Sequence, residues 1–553
     1  MHRLIHPLAG KKALAPAVIN KGEILRGFYF PQNSLTPIKN STSGHRGKVG
    51  PSFSWLHVAA MSQALVDLKT GPEKTFGPKL PKETFARYTC NQQKRIILGK
   101  DVRFASDEAQ RVAAEVFAAN GFTVIIHKGE RATPTPVISH AILTANERGE
   151  GLEGGIITGS HNPPEEAGYK SNGLNGGPNT NTAPIDRLAN EYLAHPEKIK
   201  RIDYEKAKSK GLIIEVDLIS PYVDDISNVV KMDALKGNKF AVTPLGGSAY
   251  RYYQEIAAKY NLNIVEIFGE PDPAGINRTY DWDGKLRGDP SSPYVMKAVD
   301  GYLKKLGVPF IGANDNDADR FGGVDRTAGI LNPNHVLAVL FDYLCQQRNF
   351  PQSMGIGRTI GTTHMLDKIA ENYGRPVYEV NVGFKYYVAG LLEGKYILAG
   401  EESAGLSFPR MNGKVWVTEK DGIAAVLLMM EVIAHTGKDI GTLYGELVSK
   451  YGPYQYERED TPATQQKKDR LNALAGNLGE VENLLGGKKI AGRSILRVKI
   501  GDGIKVELEG GVWVLKRASG TEDIIKDYRE EAGDTIEVAR KASEEIDYYL
   551  KLT

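Results

Sequence analysis

The sequence predicts an α/β protein of several domains, because one strand–helix–strand pattern occurs three times along its 553 residues. In the first copy, a short apolar strand at 95–98 precedes a helix that starts near Ser106, and the strand 122–126 follows. Two further copies with the same order of elements begin at about residues 239 and 354. Strands joined by single helices favour largely parallel sheets. Sequence identity among the copies is low, so an internal repeat is only suggested.

The last hundred residues follow a different pattern. Residues 454–468 are polar and charged, and we expect them to form a linker or a domain edge. Strands that lie together and are closed by a helix indicate a small α+β domain. Four such strands and one helix are predicted, at 495–500, 505–508, 512–516, 524–530 and 535–550.

Composition and charge exclude several classes of protein. Hydrophobic residues make up 41% and charged residues 25%, which is ordinary for a soluble protein. A net charge of +3 is too small to indicate nucleic-acid binding. No apolar run reaches the length of about 18 residues that a membrane span needs, and residues 1–20 do not resemble a signal peptide. The two cysteines, Cys90 and Cys345, suggest no disulfide framework. We therefore expect a cytoplasmic protein.

One serine lies in a stiff loop directly after an apolar segment. The segment 155–158 leads into the loop 159–164, in which Ser160 is followed by His161 and two prolines. Serine is a poor nucleophile unless a base or an electrophilic phosphorus lies beside it. Lys170, ten residues further on, could fold back over the loop. Taken alone, the loop favours a plain turn with a capping serine, whereas a hydrolase elbow would need a second glycine.

An acidic triplet follows the predicted strand 310–313. It comprises three aspartates at alternate positions, Asp315, Asp317 and Asp319. Converging carboxylates repel one another, and a hard divalent cation relieves that repulsion. An EF-hand is excluded because Arg320 and Arg326 occupy the positions of its glycine and glutamate. Mg²⁺ suits the triplet better, with Arg320 placed to meet a phosphate group. A solvated acidic turn is the alternative interpretation.

A second phosphate-binding loop is predicted near the C-terminus. Arg517 can bind a phosphate through two hydrogen bonds, and the loop after it offers hydroxyl and backbone donors. The residues concerned are Arg517, Ser519, Gly520 and Thr521. A simple strand-to-strand turn would have a similar composition. Because this loop is remote in sequence from Ser160, two phosphate sites and one metal site suggest a substrate that carries two phosphates at some stage.

Weaker signals come from short loops that have little meaning alone. They are the glycine-rich loop with Arg46, the segment 400–405 with Glu401 and Ser403, and the single cations Lys385 and Lys420.

These segments, in this order, resemble the α-D-phosphohexomutase superfamily and, within it, the bacterial glucose-specific phosphoglucomutases. The resemblance covers nearly the whole chain and rests on the segments 42–47, 158–165, 315–320, 400–405 and 517–522. It implies three related mixed-sheet α/β domains and a smaller C-terminal α+β domain around a central cleft. The expected divisions are an extension at 1–38, a domain with the serine loop at 39–205, one with the metal loop at 206–326, one with the sugar-binding loop at 327–452, and one with the phosphate loop at 453–553.

The resemblance also implies a role for each site residue. Ser160 would carry the phosphate, and one of its oxygens would complete a Mg²⁺ site made by Asp315, Asp317 and Asp319. Arg46 and Lys170 would flank the phosphoserine and assist proton transfer, and His161 belongs to the same motif. Lys170 is the candidate general base, provided that neighbouring cations lower its pKa. Substrate would be bound by Arg320, Lys385, Glu401, Ser403, Lys420, Arg517, Ser519, Gly520 and Thr521.

The implied reaction interconverts glucose 1-phosphate and glucose 6-phosphate, with glucose 1,6-bisphosphate as intermediate and activator. A phosphomannomutase or an enzyme of dual specificity is the alternative within the class, and a non-catalytic phosphosugar-binding protein or a phosphatase lies outside it. Two positions depart from the family pattern: Val382 replaces a frequent threonine and Arg358 a frequent lysine. The expected partners are small sugar phosphates, not nucleic acid or membrane, and the chain is expected to be a monomer or a homodimer.

Overall fold

The computed structural model describes residues 6–13, 20–41, 44–71, 93–180, 182–520 and 523–552. Its strands form four sheets, three of them mixed and one antiparallel. This confirms the predicted combination of α/β domains with a C-terminal α+β domain. Within those ranges, no helix combines the length and the apolar character that crossing a bilayer requires. Cys345 is a free, half-buried thiol, whereas Cys90 lies outside the described residues.

The first sheet has seven strands in the order β1-β2-β6-β5-β3-β4-β7. The strands are β1 Asn40–Ser41, β2 Gly44–Lys48, β3 Arg95–Lys100, β4 Thr123–His127, β5 Leu152–Ile157, β6 Glu166–Asn172 and β7 Ile213–Val216. The helices of this part are α1 Lys21–Phe28, α2 Trp55–Thr70, α3 Ser106–Ala119, α4 Thr135–Glu147, α5 Ala183–Ala194 and α6 Tyr204–Ser209. Helix α2 is apolar around most of its circumference because it packs against both α3 and α5.

The second sheet has five strands in the order β12-β11-β10-β8-β9. They are β8 Lys239–Thr243, β9 Asn263–Glu266, β10 Phe310–Asn314, β11 Phe321–Asp325 and β12 Gly329–Ile330. Its helices are α7 Ile219–Asp225, α8 Met232–Leu235, α9 Tyr252–Tyr260 and α10 Tyr302–Leu306. All five residues of β10 are buried, as expected for a strand in the centre of a sheet covered on both faces.

The third sheet has four strands in the order β14-β13-β15-β16. They are β13 Gly355–Thr359, β14 Val377–Val380, β15 Tyr396–Glu401 and β16 Gly405–Ser407. Its helices are α11 Pro333–Gln347, α12 Met365–Asn372, α13 Val388–Leu392, α14 Gly422–Thr436 and α15 Ile440–Tyr451. Helix α14 is buried along nearly its whole length and contacts β10, β11 and β16, so it joins the second and third sheets into one hydrophobic core.

The three mixed sheets share one arrangement of four strands. The orders β4-β3-β5-β6, β9-β8-β10-β11 and β14-β13-β15-β16 are equivalent, with three parallel strands followed by one antiparallel strand. The internal repeat that the sequence only suggested is therefore present in the topology. In each copy, the turn between the third and fourth strands carries one of the predicted functional loops.

The fourth sheet is antiparallel, in the order β17-β22-β21-β20-β19-β18. Its strands are β17 Tyr454–Pro462, β18 Lys489–Ile490, β19 Arg493–Ile500, β20 Ile504–Leu508, β21 Val512–Ala518 and β22 Ile524–Ala532. The helices that cover it are α16 Gln465–Ala475, α17 Leu478–Leu485 and α18 Glu537–Leu550. The four predicted strands and the final helix are all present.

Of the two alternatives predicted for 454–468, the linker is wrong, and the segment instead begins the C-terminal domain at the edge of its sheet. Residues 454–462 form β17, which pairs with β22 along all nine of its residues, and α16 begins at Gln465. The charged side chains of this strand are matched across the sheet, since Arg529 donates hydrogen bonds to Glu457 and Glu459. Cross-strand ion pairs of this kind stabilise a polar strand that local composition assigns to a loop.

Two expected domain boundaries cut through sheets. The boundary at 205/206 precedes β7, which pairs with β4 in the first sheet, and the boundary at 326/327 separates β12 from β11. We propose divisions after Val216 and after Ile330, because these keep each sheet whole. The divisions at 38/39 and 452/453 fall between elements and stay predictions.

The C-terminal domain is attached to the third domain by apolar and polar contacts. Ile360 packs with Trp513, Leu515 and Tyr528 of the C-terminal sheet. Lys505 Nζ donates a hydrogen bond to the carbonyl of Ile360 at 2.7 Å. This contact holds the predicted phosphate loop, which follows β21, at the edge of the third domain.

Candidate active site

The site forms where the equivalent loops of the three α/β domains meet. Each loop contains one non-glycine residue in the left-handed region: Ser160 at φ 51°, Ala318 at φ 55° and Ala404 at φ 67°. Such conformations are uncommon outside glycine and are held by surrounding contacts. Here Asn316 Nδ2 donates to the carbonyl of Ser160 at 2.8 Å, and the Phe321 amide donates to the carbonyl of Ala404 at 3.0 Å. The loops therefore fix one another.

Ser160 lies in the middle of this contact. Its side chain is nearly excluded from solvent, and its Oγ donates a hydrogen bond to Asp315 Oδ2 at 2.9 Å. The two residues are 155 positions apart in sequence. The backbone amide of Ser160 donates to Thr158 Oγ1 at 2.7 Å. The hydroxyl thus points at an acidic loop of another domain and does not cap a turn.

His161 faces Ser160 as a neutral ring. Its Nδ1 lies 3.3 Å from Ser160 Oγ, and its carbonyl accepts a hydrogen bond from the Gly288 amide at 2.9 Å. Burial lowers the pKa of His161 well below its usual value, and the nearby Arg320 and Arg46 guanidinium groups lower it further. The side chain can therefore accept a hydrogen bond at neutral pH, while the backbone joins the serine loop to the second domain.

The three aspartates converge as predicted. Their ligand atoms all lie within 4.8 Å of one another, and all three side chains are buried. Asp317 Oδ1 and Asp319 Oδ1 have no hydrogen-bond partner among the described residues, although both atoms are buried. Burial and the two neighbouring carboxylates raise the pKa of Asp315 well above its usual value. Orphaned carboxylate oxygens beside a serine oxygen are the donor set that a hard divalent cation prefers, so these residues fit a metal ion.

Two lysines contact the acidic triplet. Lys170 Nζ lies 2.6 Å from Asp317 Oδ2 and 2.9 Å from Asp319 Oδ2, and Lys420 Nζ lies 3.2 Å from Asp319 Oδ2. Burial lowers the pKa of Lys170, but the two carboxylates outweigh burial and raise it overall. The condition stated for Lys170 as a general base, a pKa lowered by neighbouring cations, is therefore not met.

Arg46 completes the cationic side of the site. It lies on β2, beside the β6 strand that carries Lys170. Burial lowers the pKa of the Arg46 guanidinium, and the charges of Asp317 and Asp319 partly offset this effect. The glycine-rich loop therefore brings its cation to the triplet, although its residues Thr42 and Ser43 lie outside the described residues.

The predicted sugar-binding residues form a second group next to the triplet. Glu401 Oε1 accepts a hydrogen bond from the Gly383 amide at 3.1 Å, and Ser403 Oγ lies 3.3 Å from Glu401 Oε2. Burial raises the pKa of Glu401, while Lys420 and Arg320 act in the opposite direction. A carboxylate and a hydroxyl between two cations can bind sugar hydroxyls and a phosphate together.

The C-terminal loop lies beside residues 382–385 of the third domain. Arg517 Nε donates to Asp502 Oδ2 at 2.7 Å, and the same carboxylate accepts a hydrogen bond from the Val382 amide. The positive charge of Lys385 also acts on Asp502. Ser519 is buried and Gly520 is exposed at the tip of the turn. Thr521 lies outside the described residues.

Both departures from the family pattern have a structural explanation. Val382 packs against the apolar contact between the third and C-terminal domains while its amide binds Asp502. Arg358 is buried and forms ion pairs with Asp367 and Glu379. These side chains support the interdomain contact.

Several residues near the site were not predicted from the sequence. Thr135 holds Asp317 through its amide and its hydroxyl, at 2.9 and 2.8 Å. Asp289 Oδ2 accepts a hydrogen bond from Arg320 Nη1 at 2.8 Å, which orients that guanidinium. Asp101 and Arg103 lie under the serine loop. Asp101 and Arg103 directly follow β3, and ligands of open α/β sheets bind at the carboxyl ends of strands. Their position after a predicted strand could therefore have indicated that they lie near the site.

Comparison with known proteins agrees with the domain structure. The description "Phosphoglucomutase/phosphomannomutase, alpha/beta/alpha domain" matches at residues 80–196 for domain I, 220–329 for domain II and 332–451 for domain III.

Individual relatives extend the match over almost the whole chain. A protein of Komagataeibacter xylinus named Phosphoglucomutase is 39% identical over 548 residues, which cover 95% of this chain and 94% of that protein. A Thermococcus kodakarensis protein named Phosphoglucomutase/phosphomannomutase is 27% identical, covering 83% of this chain and 89% of that protein. The crystal structure of a phosphoglucomutase/phosphomannomutase family protein from Burkholderia thailandensis shares the fold, with a TM-score of 0.69, 20% identity, and coverage of 93% of this chain and 98% of that one.

Three equivalent α/β domains whose loops gather a serine, an acidic triplet and basic side chains define a phosphohexomutase, an enzyme of the isomerase class. The chain belongs to the phosphoglucomutase/phosphomannomutase family.

Proposed function

We propose that the chain is a phosphoglucomutase that interconverts glucose 1-phosphate and glucose 6-phosphate, with Ser160 as its phosphate carrier and glucose 1,6-bisphosphate as intermediate and activator. The observation that carries the proposal is the 2.9 Å contact between Ser160 Oγ and Asp315 Oδ2 in the centre of the loop cluster. The Komagataeibacter xylinus relative, which bears the name Phosphoglucomutase, supports the choice of sugar.

The reaction balances as two phosphoryl transfers. In the first, the bond between phosphorus and Ser160 Oγ breaks while the free hydroxyl of the sugar phosphate bonds to that phosphorus, and the proton of this hydroxyl ends on Ser160 Oγ. The bisphosphate then turns over in the cleft. In the second transfer, Ser160 Oγ takes the other phosphoryl group and the sugar oxygen regains a proton. The phosphoserine is regenerated, so the net change is the position of one phosphate.

The chain's own residues contribute mainly position and charge. Phosphoryl transfer has little covalent chemistry for a protein to supply, so placement and electrostatics dominate its acceleration. Lys170 and Arg46 offset the negative charge beside Ser160, and we assign them this role in preference to that of a base. Mg²⁺ is the proposed ion for Asp315, Asp317, Asp319 and an oxygen on Ser160, and when bound it would neutralise charge on the phosphoryl group.

Substrate binding is assigned to loops of the second, third and C-terminal domains. Glu401 and Ser403 would contact sugar hydroxyls, with Arg320, Lys420 and Lys385 as further contacts. Arg517, Ser519 and Gly520, together with Thr521, would hold the phosphate that is not being transferred. Because these groups belong to other domains than Ser160, sugar binding and phosphoryl transfer depend on separate parts of the chain.

A phosphomannomutase or an enzyme of dual specificity is the second candidate, supported by the Thermococcus kodakarensis relative whose name includes both activities. A coupled assay of glucose 1-phosphate and mannose 1-phosphate, each with Mg²⁺ and trace bisphosphate, tests both proposals. We expect a kcat/KM at least tenfold higher for the glucose substrate. Equal values would indicate dual specificity, and release of inorganic phosphate without isomerisation would indicate a phosphatase.

We further propose that the protein acts in the cytoplasm on small sugar phosphates. It is proposed to be a monomer or a homodimer, and light scattering coupled to gel filtration separates these two states.

A further inference from the structure

Arg103 lies directly beneath the serine loop with all of its donors in use. The residue follows β3 and is 4% exposed. A guanidinium group has five N–H donors in a fixed planar arrangement. The acceptors of Arg103 are Asp101 Oδ2 at 2.9 Å from Nε, the carbonyls of Pro163 and Glu166 at 2.5 and 2.7 Å from Nη1, and the carbonyls of Ser160 and Asn162 at 2.6 and 2.7 Å from Nη2.

Four of these acceptors are backbone carbonyls of the segment 160–166. The planar group therefore fixes the path of the chain from the nucleophile through the next six residues. Because the donors are rigidly arranged, a lysine ammonium with three donors cannot reproduce the pattern.

Gly159 is matched to this guanidinium. A Cβ added at Gly159 would lie 2.8 Å from Arg103 Cζ and 2.9 Å from Nε, closer than carbon atoms approach without displacement. The loop can rest on the guanidinium only because this position has no side chain.

Asp101 ties the same network to the other end of the loop. Its Oδ2 accepts hydrogen bonds from both Arg103 Nε and Thr158 Oγ1, the latter at 2.8 Å. Thr158 Oγ1 in turn accepts from the Ser160 amide at 2.7 Å. The left-handed backbone of Ser160 is thus held from its amide and from its carbonyl by one buried ion pair.

We propose that Arg103 is a positioning residue that holds Ser160 Oγ at the acidic triplet, so that phosphoryl transfer depends on it while sugar binding does not. The inference rests on the proposed function and assigns to that site a residue outside its substrate contacts. A misplacement of about 1 Å at a reacting atom costs about 10²-fold in rate. Glu401 and Arg517, which are assigned to substrate binding, lie on other domains, and among the described residues their hydrogen bonds go to other groups than this network.

The test compares Arg103→Lys and Arg103→Met with wild type in the mutase assay. For Arg103→Lys we expect kcat to fall by about 30-fold or more while KM for glucose 1-phosphate stays within about threefold, and for Arg103→Met a larger fall in kcat. Arg348→Lys is the matched control, because Arg348 is an equally buried arginine that binds Glu431 with two 2.8 Å contacts away from the site. Its kcat should stay within about threefold of wild type.

A second variant tests the same inference in case the Arg103 variants do not fold. Gly159→Ala keeps the Arg103 and Asp101 side chains but crowds the loop against the guanidinium, so it should show the same fall in kcat at nearly constant KM. Phosphate transfer from glucose 1,6-bisphosphate to Ser160, followed by intact mass, should be slower in Arg103→Lys and in Gly159→Ala than in wild type. Values of kcat within about threefold of wild type in Arg103→Lys and Gly159→Ala would overturn the inference alone. A wild type without mutase turnover would overturn the proposed function, and the inference with it.

Discussion

Lys170 Nζ lies 2.6 Å from Asp317 Oδ2, and both side chains are almost completely excluded from solvent. The ammonium group is therefore a counter-charge of the acidic triplet. A divalent cation at the same carboxylates would meet the repulsion of this ammonium group. Lys170 consequently weakens cation binding while it offsets the mutual repulsion of the carboxylates.

Replacing Lys170 by methionine tests this competition. We expect Mg²⁺ to bind about tenfold more tightly, a change of ~1.4 kcal/mol, because one positive charge is removed beside the carboxylates. We also expect kcat to fall by about 10²-fold, since a cation near the phosphoryl group is lost. Titration calorimetry with Mg²⁺ measures the first effect. Lys438→Met removes an exposed lysine paired with Glu446 and is the control. Unchanged Mg²⁺ affinity in Lys170→Met would contradict the competition.

Ser160→Ala should abolish mutase turnover. The substitution removes only the hydroxyl group, and without Oγ the side chain cannot form a bond to a phosphoryl group. We expect kcat to fall by at least about 10⁴-fold with an unchanged circular dichroism spectrum, and no phosphate adduct by intact mass after incubation with glucose 1,6-bisphosphate. Ser407→Ala is the matched control, because Ser407 is also buried and its Oγ binds only the carbonyl of Val417 among the described contacts. Wild-type turnover in Ser160→Ala would exclude the covalent role.

Asp317→Asn should separate metal binding from sugar binding. The substitution removes one charge at the orphaned Oδ1 position, so we expect the Mg²⁺ concentration for half-maximal activity to rise at least about tenfold. Binding of glucose 1-phosphate, measured by calorimetry, should change by less than about threefold. Asp342→Asn on α11 is the control, since Asp342 binds Tyr373 at the surface of the third domain. An identical dependence of activity on Mg²⁺ concentration in wild type and Asp317→Asn would show that Asp317 does not bind the metal ion.

Most of the fold was predictable because its strands and helices carry local periodicity. The three strand–helix–strand copies and the four C-terminal strands appear where apolar alternation and caps placed them. Strand β17 was missed because its stability comes from pairing with β22 and from the ion pairs of Arg529, which are remote in sequence. The expected boundaries separate β7 and β12 from the strands with which they pair for the same reason, since membership of a sheet depends on non-local pairing.

The parts of the candidate site that lie in short motifs after strands were predictable from the sequence. The parts that depend on contacts with residues remote in sequence were not. Ser160 and the aspartates could be found because a loop after a buried strand displays side chains at a sheet edge. Arg103 belongs to no recognisable motif, because the carbonyls to which it donates hydrogen bonds are about 60 positions away in sequence. The role of Lys170 as a base depended on a lowered pKa, but its pKa is raised, because the charges of Asp317 and Asp319 outweigh burial and the charge of Arg46.

Arg517→Ala should weaken phosphate holding by the C-terminal loop. Arg517 is kept in place by Asp502, which also binds the Val382 amide of the third domain. Loss of a charge-assisted phosphate contact costs about 1.5–3 kcal/mol, so we expect KM for glucose 1-phosphate to rise by about 10- to 100-fold. Arg493→Ala, on β19 of the same domain, is the control and should leave KM unchanged. If Arg517→Ala leaves both KM and kcat as in wild type, the loop does not bind substrate.

The contact between the third and C-terminal domains should be sensitive to acid through Glu379. His364, Glu379 and Glu507 are close enough together to bind a metal ion, but Lys505 Nζ lies among them, at 2.9, 3.6 and 3.9 Å from their side-chain atoms. The ammonium group thus occupies the position of a cation. Burial raises the pKa of Glu379, but Arg358, Lys505 and Lys499 outweigh it and lower the pKa to about 2.

A carboxyl whose pKa is lower in the folded than in the unfolded protein stabilises the fold fully above its unfolded pKa, and this stabilisation is lost as the pH falls through its folded pKa. The contribution of Glu379 should therefore be complete above about pH 4.5 and should vanish as the pH falls towards about 2. We expect Glu379→Gln to be less stable than wild type by about 2 kcal/mol at pH 7, a value reduced for its partial exposure, and the difference to shrink between pH 4.5 and 3. Urea unfolding at several pH values measures it, with Glu446→Gln, which removes an exposed ion pair, as control. A difference that stays constant down to pH 3 would mean that Glu379 acts through packing and not through its charge.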